Sequence, residues 1–429
     1  MKSFFWNVLV TLAVPAFFIA ALLPARRRDM YIWGSRPVIS FRYWSEAIQG
    51  LGLPSMTIMQ GHYAINRPED FDRFFPSFAP QWLPHIMRMG LGTCGALIFV
   101  LRRAKVLHMP FDGFALNASI YWRLEGLLLR LAGVRTVALP YGADGYVYSR
   151  LIDISMRHGL LSSYPQLARK EAAIGARVAY WCRHADIVIP GFMIDGVGRW
   201  DVLLNTIFAI DTDQWSAKSD HTDNDGHNGP VRIMHTPNHR GFKGTEFLLD
   251  AVAKLQQEGL QIELVLLERV PNETVRQTMQ SVDIMAEQFI GQGYALSGIE
   301  GMASGLPVLA NLDHEAFTTV FRRYGFLDEC PILSSPPERL QENLRALVTR
   351  PDLRRELGRA GRAFAEKYHS FATARYMFGA VYDHLFGIRE VDLMNLFHPL
   401  KSEYNRASPR VEHPLRFNRL PVPTPPTSC

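Results

Sequence analysis

Cysteine is the first scarcity. Only four occur in 429 residues, at Cys94, Cys182, Cys330 and Cys429, with no Cys-x-x-Cys pair and no spacing that would hold zinc. That argues against a disulfide-stapled scaffold and fits a reduced compartment. A surplus of one charge is missing too. The 46 basic and 41 acidic side chains leave a formal net charge of +5, too even for a nucleic-acid binder but compatible with an anionic membrane surface or ligand. Charged residues reach only 20% while hydrophobic ones make up 48%, the proportions of a globular protein. The chain is too long for one ordinary core, so two domains with appendages are expected.

Residues 4–23 carry no charge. As a helix they would rise about 30 Å, enough to cross a bilayer's hydrocarbon core. Arg26, Arg27 and Arg28 follow at once and outweigh Lys2, so a spanning segment would leave the bulk of the protein on the cytoplasmic face. Pro15 would kink such a helix without forbidding it. A cleaved signal peptide ending near Pro24 and Ala25 is disfavoured, because the apolar run is long and three arginines beside the cleavage site would impede export. The alternative is a buried helix of the first domain, which the α/β pattern beginning at Met30 does not need.

From residue 30 to about 205, short apolar runs alternate with helical patterns. Residues 30–33, 55–59, 105–109, 136–139 and 186–190 read as strands, and 43–51, 83–103, 119–132 and 166–185 as helices. Such alternation predicts a parallel sheet covered on both faces, with ligands at the carboxyl ends of the strands. Loops at those ends hold His62, Asp112 in Pro-Phe-Asp-Gly and Asp144 in Gly-Ala-Asp-Gly. The two carboxylates suit acceptor hydroxyls or a proton transfer; Asp-Gly is equally ordinary turn chemistry. His62 is either a site residue or a solvated loop histidine, and Tyr43 and Trp44 read as helix packing. Residues 91–101, bordered by Arg102 and Arg103, are too short to span and read as a core helix.

Residues 211–230 are rich in Asp, His, Asn, Ser and Gly and read as a solvated linker. The cluster His221, Asp223, Asp225 and His227 fails as a calcium loop, since histidine would take the first ligand position and Arg232 the last. A second alternation then starts with strand 231–235, a polar loop and a helix opened by Thr245. Strands at 262–267, 282–285 and 308–310 follow, with helices between. Residues 408–429, with six prolines between Pro409 and Pro426, read as a disordered tail. The expected domains are an anchor (1–28), an N-terminal Rossmann-like domain (29–205), a linker (206–230), a C-terminal Rossmann-like domain (231–387) and a Pro-rich tail (388–429).

Residues 292–311 read Gln-Gly-Tyr-Ala-Leu-Ser-Gly-Ile-Glu-Gly-Met-Ala-Ser-Gly-Leu-Pro-Val-Leu-Ala-Asn: a glycine turn, a short helix carrying Glu300, a Gly-Leu-Pro break and a buried strand. A helix opening there presents free N–H groups and partial positive charge, which suits a phosphate. One turn on, Glu300 is placed to accept hydrogen bonds from ribose hydroxyls. Ser297 to Glu300 is also the pattern of a capping box. Phosphate plus ribose indicates a nucleotide.

This stretch resembles the signature of retaining glycosyltransferases of the GT-B fold, family 4, whose usual form is Glu-x7-Glu-(Ala/Gly)-Met-Ala-x-Gly-x-Pro-Val. Glu300 matches the second glutamate, which the family uses on the nucleotide ribose. The first, which touches the transferred sugar, falls at Gln292, a departure. Residues 235–245 look like the family's diphosphate loop, with Lys243 as its lysine; the arginine's place is Asn238 and the nearest arginine is Arg240. Phe-Ala-Ile-Asp-Thr-Asp-Gln-Trp at 208–215 is similar to the family's interdomain segment. The motifs cover residues 231–379, and before that the resemblance is architectural.

The resemblance implies two Rossmann-like domains facing a cleft, and a hexosyltransferase acting on a glycan or lipid-linked acceptor in polysaccharide or cell-envelope biosynthesis. Its donor site would comprise Asn238, Arg240, Lys243, Gly293, Tyr294, Ala295, Leu296, Ser297 and Glu300, with Gln292, Glu300, Lys243 and Arg240 nearest the chemistry. His62, Asp112 and Asp144 stand on the acceptor side. No metal or other cofactor is implied, since the two cations and the helix opening would take the diphosphate charge. Two alternatives stay open: a non-catalytic sugar-nucleotide-binding or assembly protein, and another GT-B enzyme such as a phosphorylase or epimerase.

Overall fold

The structure, a computed structural model, describes residues 2–25, 27–63 and 66–421. Arg26, part of the expected basic border, and the last prolines of the tail lie outside the described residues. In chain order the first half holds α1 (Lys2–Leu22), β1 (Met30–Trp33), α2 (Ile39–Gln49), β2 (Ser55–Met59), β3 (Arg73–Phe74), α3 (His85–Arg103), β4 (Ala104–Met109), α4 (Leu124–Leu131), β5 (Arg135–Ala138), α5 (Ile154–Ser163), α6 (Pro165–Ala168), α7 (Glu171–His184) and β6 (Ile187–Val188). The second half holds β7 (Val231–His235), α8 (Arg240–Lys243), α9 (Thr245–Gln257), β8 (Ile262–Leu266), α10 (Asn272–Met279), β9 (Ile284–Gln292), α11 (Leu296–Ala303), β10 (Val308–Asn311), α12 (Glu315–Tyr324), β11 (Leu333–Ser334), α13 (Pro337–Thr349), α14 (Pro351–His369), α15 (Phe371–Phe386) and α16 (Glu403–Ala407).

Two compact units result. Among the described residues, unit 1 contains a six-stranded sheet in the order β3-β2-β1-β4-β5-β6, and its strand pairs are parallel. The order reverses between β1 and β4, and a crevice opens at the carboxyl ends of two strands where such a reversal occurs. Unit 2 contains a five-stranded parallel sheet, β11-β10-β9-β7-β8, which reverses between β7 and β9. Each sheet has its own apolar core. Ile32, Leu107, Ala138 and Leu97 contribute to the first, and Val231, Ile284, Leu309 and Leu344 to the second.

The boundaries depart from the expected ones. Residues 371–396, including α15, belong to unit 1, and residues 153–165, including α5, belong to unit 2. In unit 1, Phe378 of α15 meets Trp33 edge-on, and the Tyr382 hydroxyl reaches His108 Nε2 at 2.9 Å. His108 Nδ1 donates to the Ile32 carbonyl and its ring stacks on Trp33, 3.6 Å between centroids. Burial pushes this histidine down to about 3, so it is neutral and accepts from Tyr382.

The segment expected as a solvated linker lies along unit 2, burying Trp215 and Lys218, whose ammonium donates to the Val282 carbonyl at 2.7 Å. Asp225 closes a turn by accepting from the His227 and Asn228 amides, and among the described residues no three His, Cys, Asp or Glu side chains gather as a metal would need. Residues 408–421, expected as part of a disordered tail, bury Val411, Leu415 and Asn418 on unit 2. Asn418 donates to the Cys330 and Ile332 carbonyls, which fixes the segment by backbone satisfaction rather than by composition.

The apolar N-terminal stretch is a single helix, and residues 4–22 have the length and hydropathy to cross a membrane. One of its faces nevertheless belongs to unit 1: Val10, Phe17, Ala20 and Ala21 are buried in the same core as Leu97 and Leu101 of α3. Helix α3 itself buries Gly92, Cys94, Ala96, Leu97 and Val100, the core helix expected for residues 91–101.

Candidate functional site

In unit 2 the sequence-predicted residues gather at the β7/β9 reversal. Strand β7 ends at His235, which locks three elements together. Its Nδ1 donates to the Ala286 carbonyl at 2.7 Å, and its Nε2 accepts from the Thr245 hydroxyl at 2.9 Å. Burial pushes its imidazole down to about 4, consistent with the neutral tautomer this pattern requires. The chain then turns through exposed Asn238 into α8. Gly244, at φ 74°, breaks α8 from α9, a backbone state that glycine adopts without penalty.

Lys243 closes α8 with its ammonium buried, donating to Glu287 Oε1 at 3.1 Å and Gln288 Oε1 at 2.9 Å. Both acceptors come from β9, all of whose positions are buried. Gln288 donates onward to the carbonyls of Gly291 and Gly293 at 3.2 and 2.9 Å, shaping the turn in which Gly293 takes φ 86°. After that turn Tyr294 points into the core, its hydroxyl 3.1 Å from His369 Nε2.

Ala295 precedes α11 with no side-chain cap of its own. The missing cap is supplied from β9: Glu287 Oε1 accepts from the Ala295 amide at 3.0 Å and from the Ser297 hydroxyl at 3.3 Å. One carboxylate oxygen thus joins Lys243 to the opening of α11, the place that suits an anion. The other, Glu287 Oε2, is buried without a hydrogen-bond partner among the described residues. It faces Gly298, where an added Cβ would lie 2.8 Å from it.

Glu300 lies one turn into α11, 4% exposed, and accepts from Asn272 Nδ2 at 3.3 Å. Burial raises its carboxyl to about 7; the Asn272 bond opposes this, the Glu287 charge adds to it and Lys243 offsets it in part. Because α11 starts at Leu296, Glu300 is too far along to form the capping box that its spacing from Ser297 suggests, and its hydrogen bond goes to another element. Gln292 ends β9 beside Asn311, with Oε1 accepting from the His314 amide at 3.4 Å. Arg240 is on the surface, held by Glu246 at 2.8 Å and Glu268 at 3.4 Å. Lys243, the α11 opening and Glu300 are therefore brought together, while Arg240 is held by acidic neighbours.

Unit 1 has its own polar cluster at the β1/β4 reversal. Asp112 Oδ2 accepts from Arg36 Nη2 at 2.6 Å, Arg36 Nε at 3.1 Å and the Tyr141 hydroxyl at 3.2 Å, and Arg177 stands 3.6 Å from Oδ1. Asp144 accepts from the amides of Phe111, Tyr141 and Gly142. That is the turn-organising role Asp-Gly suggests, and burial together with the Asp112 charge raises Asp144 to about 7. His62 lies outside this cluster, exposed, with Nδ1 3.4 Å from the Tyr63 carbonyl.

Sequence reasoning missed Glu287, Gln288, Arg36, Tyr141 and Arg177. The available signal for the first two was an acid and an amide inside the apolar run Ile-Met-Ala-Glu-Gln-Phe-Ile, a place where a charge stays only if it is paired.

No protein-family model and no curated protein matches the chain. Solved structures do. An α-glucosyltransferase in complex with UDP and a 13-mer DNA is 10% identical, with a TM-score of 0.52 over 84% of this chain and 99% of that one. Sucrose-phosphate synthase from Thermosynechococcus elongatus is 13% identical over 85% and 100% of the two chains, with a TM-score of 0.49. WaaG, a glycosyltransferase involved in lipopolysaccharide biosynthesis, is 12% identical over 84% and 100%, with a TM-score of 0.44. At 10% identity the first of these likenesses, with its TM-score above 0.5, concerns the fold alone, which is GT-B.

Proposed function

We propose that the chain is a glycosyltransferase that moves a hexosyl group from a nucleotide-diphosphate sugar to a glycan or lipid-linked acceptor, with retention at the anomeric carbon. One observation carries the reading: at the β7/β9 reversal Glu287 joins Lys243 to the opening of α11, with the buried Glu300 one turn further along the same helix. In this reading the α11 amides and Lys243 take the diphosphate, and Arg240 adds a second cation once it exchanges Glu246 and Glu268 for phosphate. Charge building on the departing oxygen is thereby neutralised without proton transfer. Glu300 accepts from the ribose hydroxyls, Gly293 to Ser297 line the phosphate and sugar, and the Gln292 amide stands where the sugar would be held. The Asp112 cluster of unit 1, with Asp144, offers acceptor-side groups, and His62 stands outside it. The acceptor would be met at the cytoplasmic face of a membrane, as in polysaccharide or envelope glycan assembly, with no metal required.

The test is a thermal-shift and calorimetric screen of UDP- and GDP-sugars on wild type and Glu300→Ala. A donor-induced stabilisation that the variant largely loses supports the ribose role, and an equal shift in the variant refutes it. Product that forms only when a distinct acceptor is supplied supports transfer.

A second reading has its own support. Glu287 fills the anion position of α11 with an internal carboxylate, and Gln292 replaces the acid of the resembled signature, as expected of a protein that binds a sugar nucleotide without turning it over. Donor binding with neither transfer nor slow hydrolysis would favour it.

A further inference from the structure

Helix α1 is apolar on every side, yet only one side is covered. Val10, Phe17, Ala20 and Ala21 face the core. Phe4, Val8, Leu12 and Ile19 repeat at helical spacing on the opposite side, with Phe4 74% and Leu12 75% exposed. A helix that is hydrophobic all round is normally enclosed, so the outer face calls for a covering of its own.

The exposed stripe does not stand alone. Leu9 of α1 lies against Gly90 of α3, and Arg102 at the far end of α3 donates to the Leu23 and Pro24 carbonyls at 2.8 and 3.0 Å. The two helices therefore run side by side in the same direction. Asn7 Oδ1 accepts from the Ile120 amide at 3.0 Å, and the Thr11 and Tyr121 hydroxyls are 3.0 Å apart. These contacts bring 70%-exposed Ile120 and the exposed Ile86 and Met87 of α3 beside the α1 stripe, with 82%-exposed Trp82 just ahead of α3. Contiguous apolar patches of this kind mark interaction surfaces.

Charge selects the occupant. No Asp or Glu occurs before Asp29, nor between Asp72 and Asp112. Between Asp112 and Asp144 the only acid is Glu125, which is buried and consumed by the amides of Phe114, Ala115 and Leu116. Asp29 is engaged by Arg27 and Arg103. The same segments carry His85, Arg88, Arg102, Arg103, Arg123 and Arg130. A second copy of the chain would set like charges against each other, whereas an anionic lipid surface supplies the missing sign.

We infer that unit 1 docks on an anionic bilayer with α1 lying in the membrane plane, inner face kept in the protein core and outer face in the lipid, rather than crossing the membrane as its length suggests. Crossing would either strip Val10, Phe17, Ala20 and Ala21 from their core and break the Asn7, Thr11 and Arg102 bonds, or drag α3 and its sheet into hydrocarbon. An in-plane helix keeps every one of those contacts and uses the apolar face and its basic border together. The inference deepens the membrane part of the reading above and is independent of glycosyl transfer.

The experiment uses the full chain. Co-sedimentation is measured with vesicles of phosphatidylcholine alone and with about one third phosphatidylglycerol, for wild type, Leu12→Glu/Ile19→Glu and Arg123→Gln/Arg130→Gln. Expected results are at least tenfold stronger binding to the anionic vesicles, a tenfold or greater loss in each variant, and unchanged melting, since all four side chains are on the surface. In cell-derived vesicles, a tag on Met1 should be cleaved by protease added from the same side as the body of the protein. Protection of the tag while the body is digested would show a spanning helix and overturn the inference. So would equal binding to both vesicle types, or a dimer dissolved by Leu12→Glu with no vesicle binding. The donor-induced thermal shift, read in parallel, reports on the nucleotide site alone, so failure of either reading is seen separately.

Discussion

Replacing Glu287 by glutamine tests whether the α11 opening receives the donor's phosphate. The amide keeps the shape and can still accept from the Ala295 amide and the Ser297 hydroxyl, which the carboxylate meets at 3.0 and 3.3 Å. It removes the charge that now competes with an incoming diphosphate for Lys243 and the α11 opening. A phosphate held by Lys243 would stand about 5 Å from that carboxylate, where an effective dielectric of about 20 gives roughly 3 kcal/mol of repulsion per unit charge. Rearrangement of Glu287 in the wild type would recover part of this, so donor affinity should rise at least about tenfold, or about 1.4 kcal/mol. The free protein should be less stable, because removing one partner of a buried pair costs about 3–5 kcal/mol. The loss should fall toward the lower end, since Lys243 keeps Gln288 at 2.9 Å. At about 2–4 °C per kcal/mol for a domain of this size, melting falls by roughly 6–12 °C without donor. Calorimetric titration of UDP and GDP, with melting curves at matched free ligand, reads both effects. Unchanged or weaker nucleotide binding would refute the placement of the phosphate at the α11 opening.

Three further outcomes follow from other contacts. Glu300, raised to about 7 by burial, should make donor binding strengthen between pH 6 and 8, as the carboxylate that accepts ribose hydroxyls forms; Glu300→Gln should flatten the profile in calorimetry. The stability sign is opposite. A carboxyl raised above its ordinary 4.5 contributes stability that is complete below that value and lost as pH rises through about 7, so Glu300→Gln should raise melting of the free protein more at pH 8 than at pH 5. Tyr382→Phe leaves the buried His108 Nε2 without its 2.9 Å donor and should cost about 1–3 kcal/mol in denaturant titration, with donor binding to unit 2 unaffected. Gly358→Ala would set a Cβ 2.1 Å from the Gly305 carbonyl oxygen, and overpacking of that kind should cost about 1–3 kcal/mol, read as a fall in melting temperature.

Short, mostly apolar strands were legible in the sequence. β1, β2 and β7 occupy residues 30–33, 55–59 and 231–235, the runs that read as strands. Strand β9 runs on to Gln292 instead of stopping at Met285, with hydrogen bonds to Lys243 and to three carbonyls holding Gln288 and one oxygen of Glu287 inside the sheet. A single-sequence pattern contains no sign of partners so distant. The two-residue β3 escapes for the opposite reason, since Arg73 and Phe74 show no alternation to detect. At the site, Lys243 and Glu300 were readable because their loops open at strand ends. Glu287 was not, because its role depends on an α11 opening that lacks a cap of its own. The outer segments misled through composition: polar residues 211–230 and proline-bearing residues 408–421 look solvated, yet lie on unit 2 through Trp215, Lys218, Val411 and Asn418.

Helix α15 sets a timetable. The His108–Tyr382 bond spans 274 residues of chain, so at ribosomal speeds of about 5–20 residues per second the partner of His108 is made roughly 15–55 s after it. Throughout that interval the nascent first unit holds Trp33, Trp44 and the His108 imidazole on a face that Phe378 and Tyr382 will later cover. Early completion is impossible for the unit that is translated first. The growing chain must spend its synthesis with an aromatic surface open, a window in which a chaperone has something to hold.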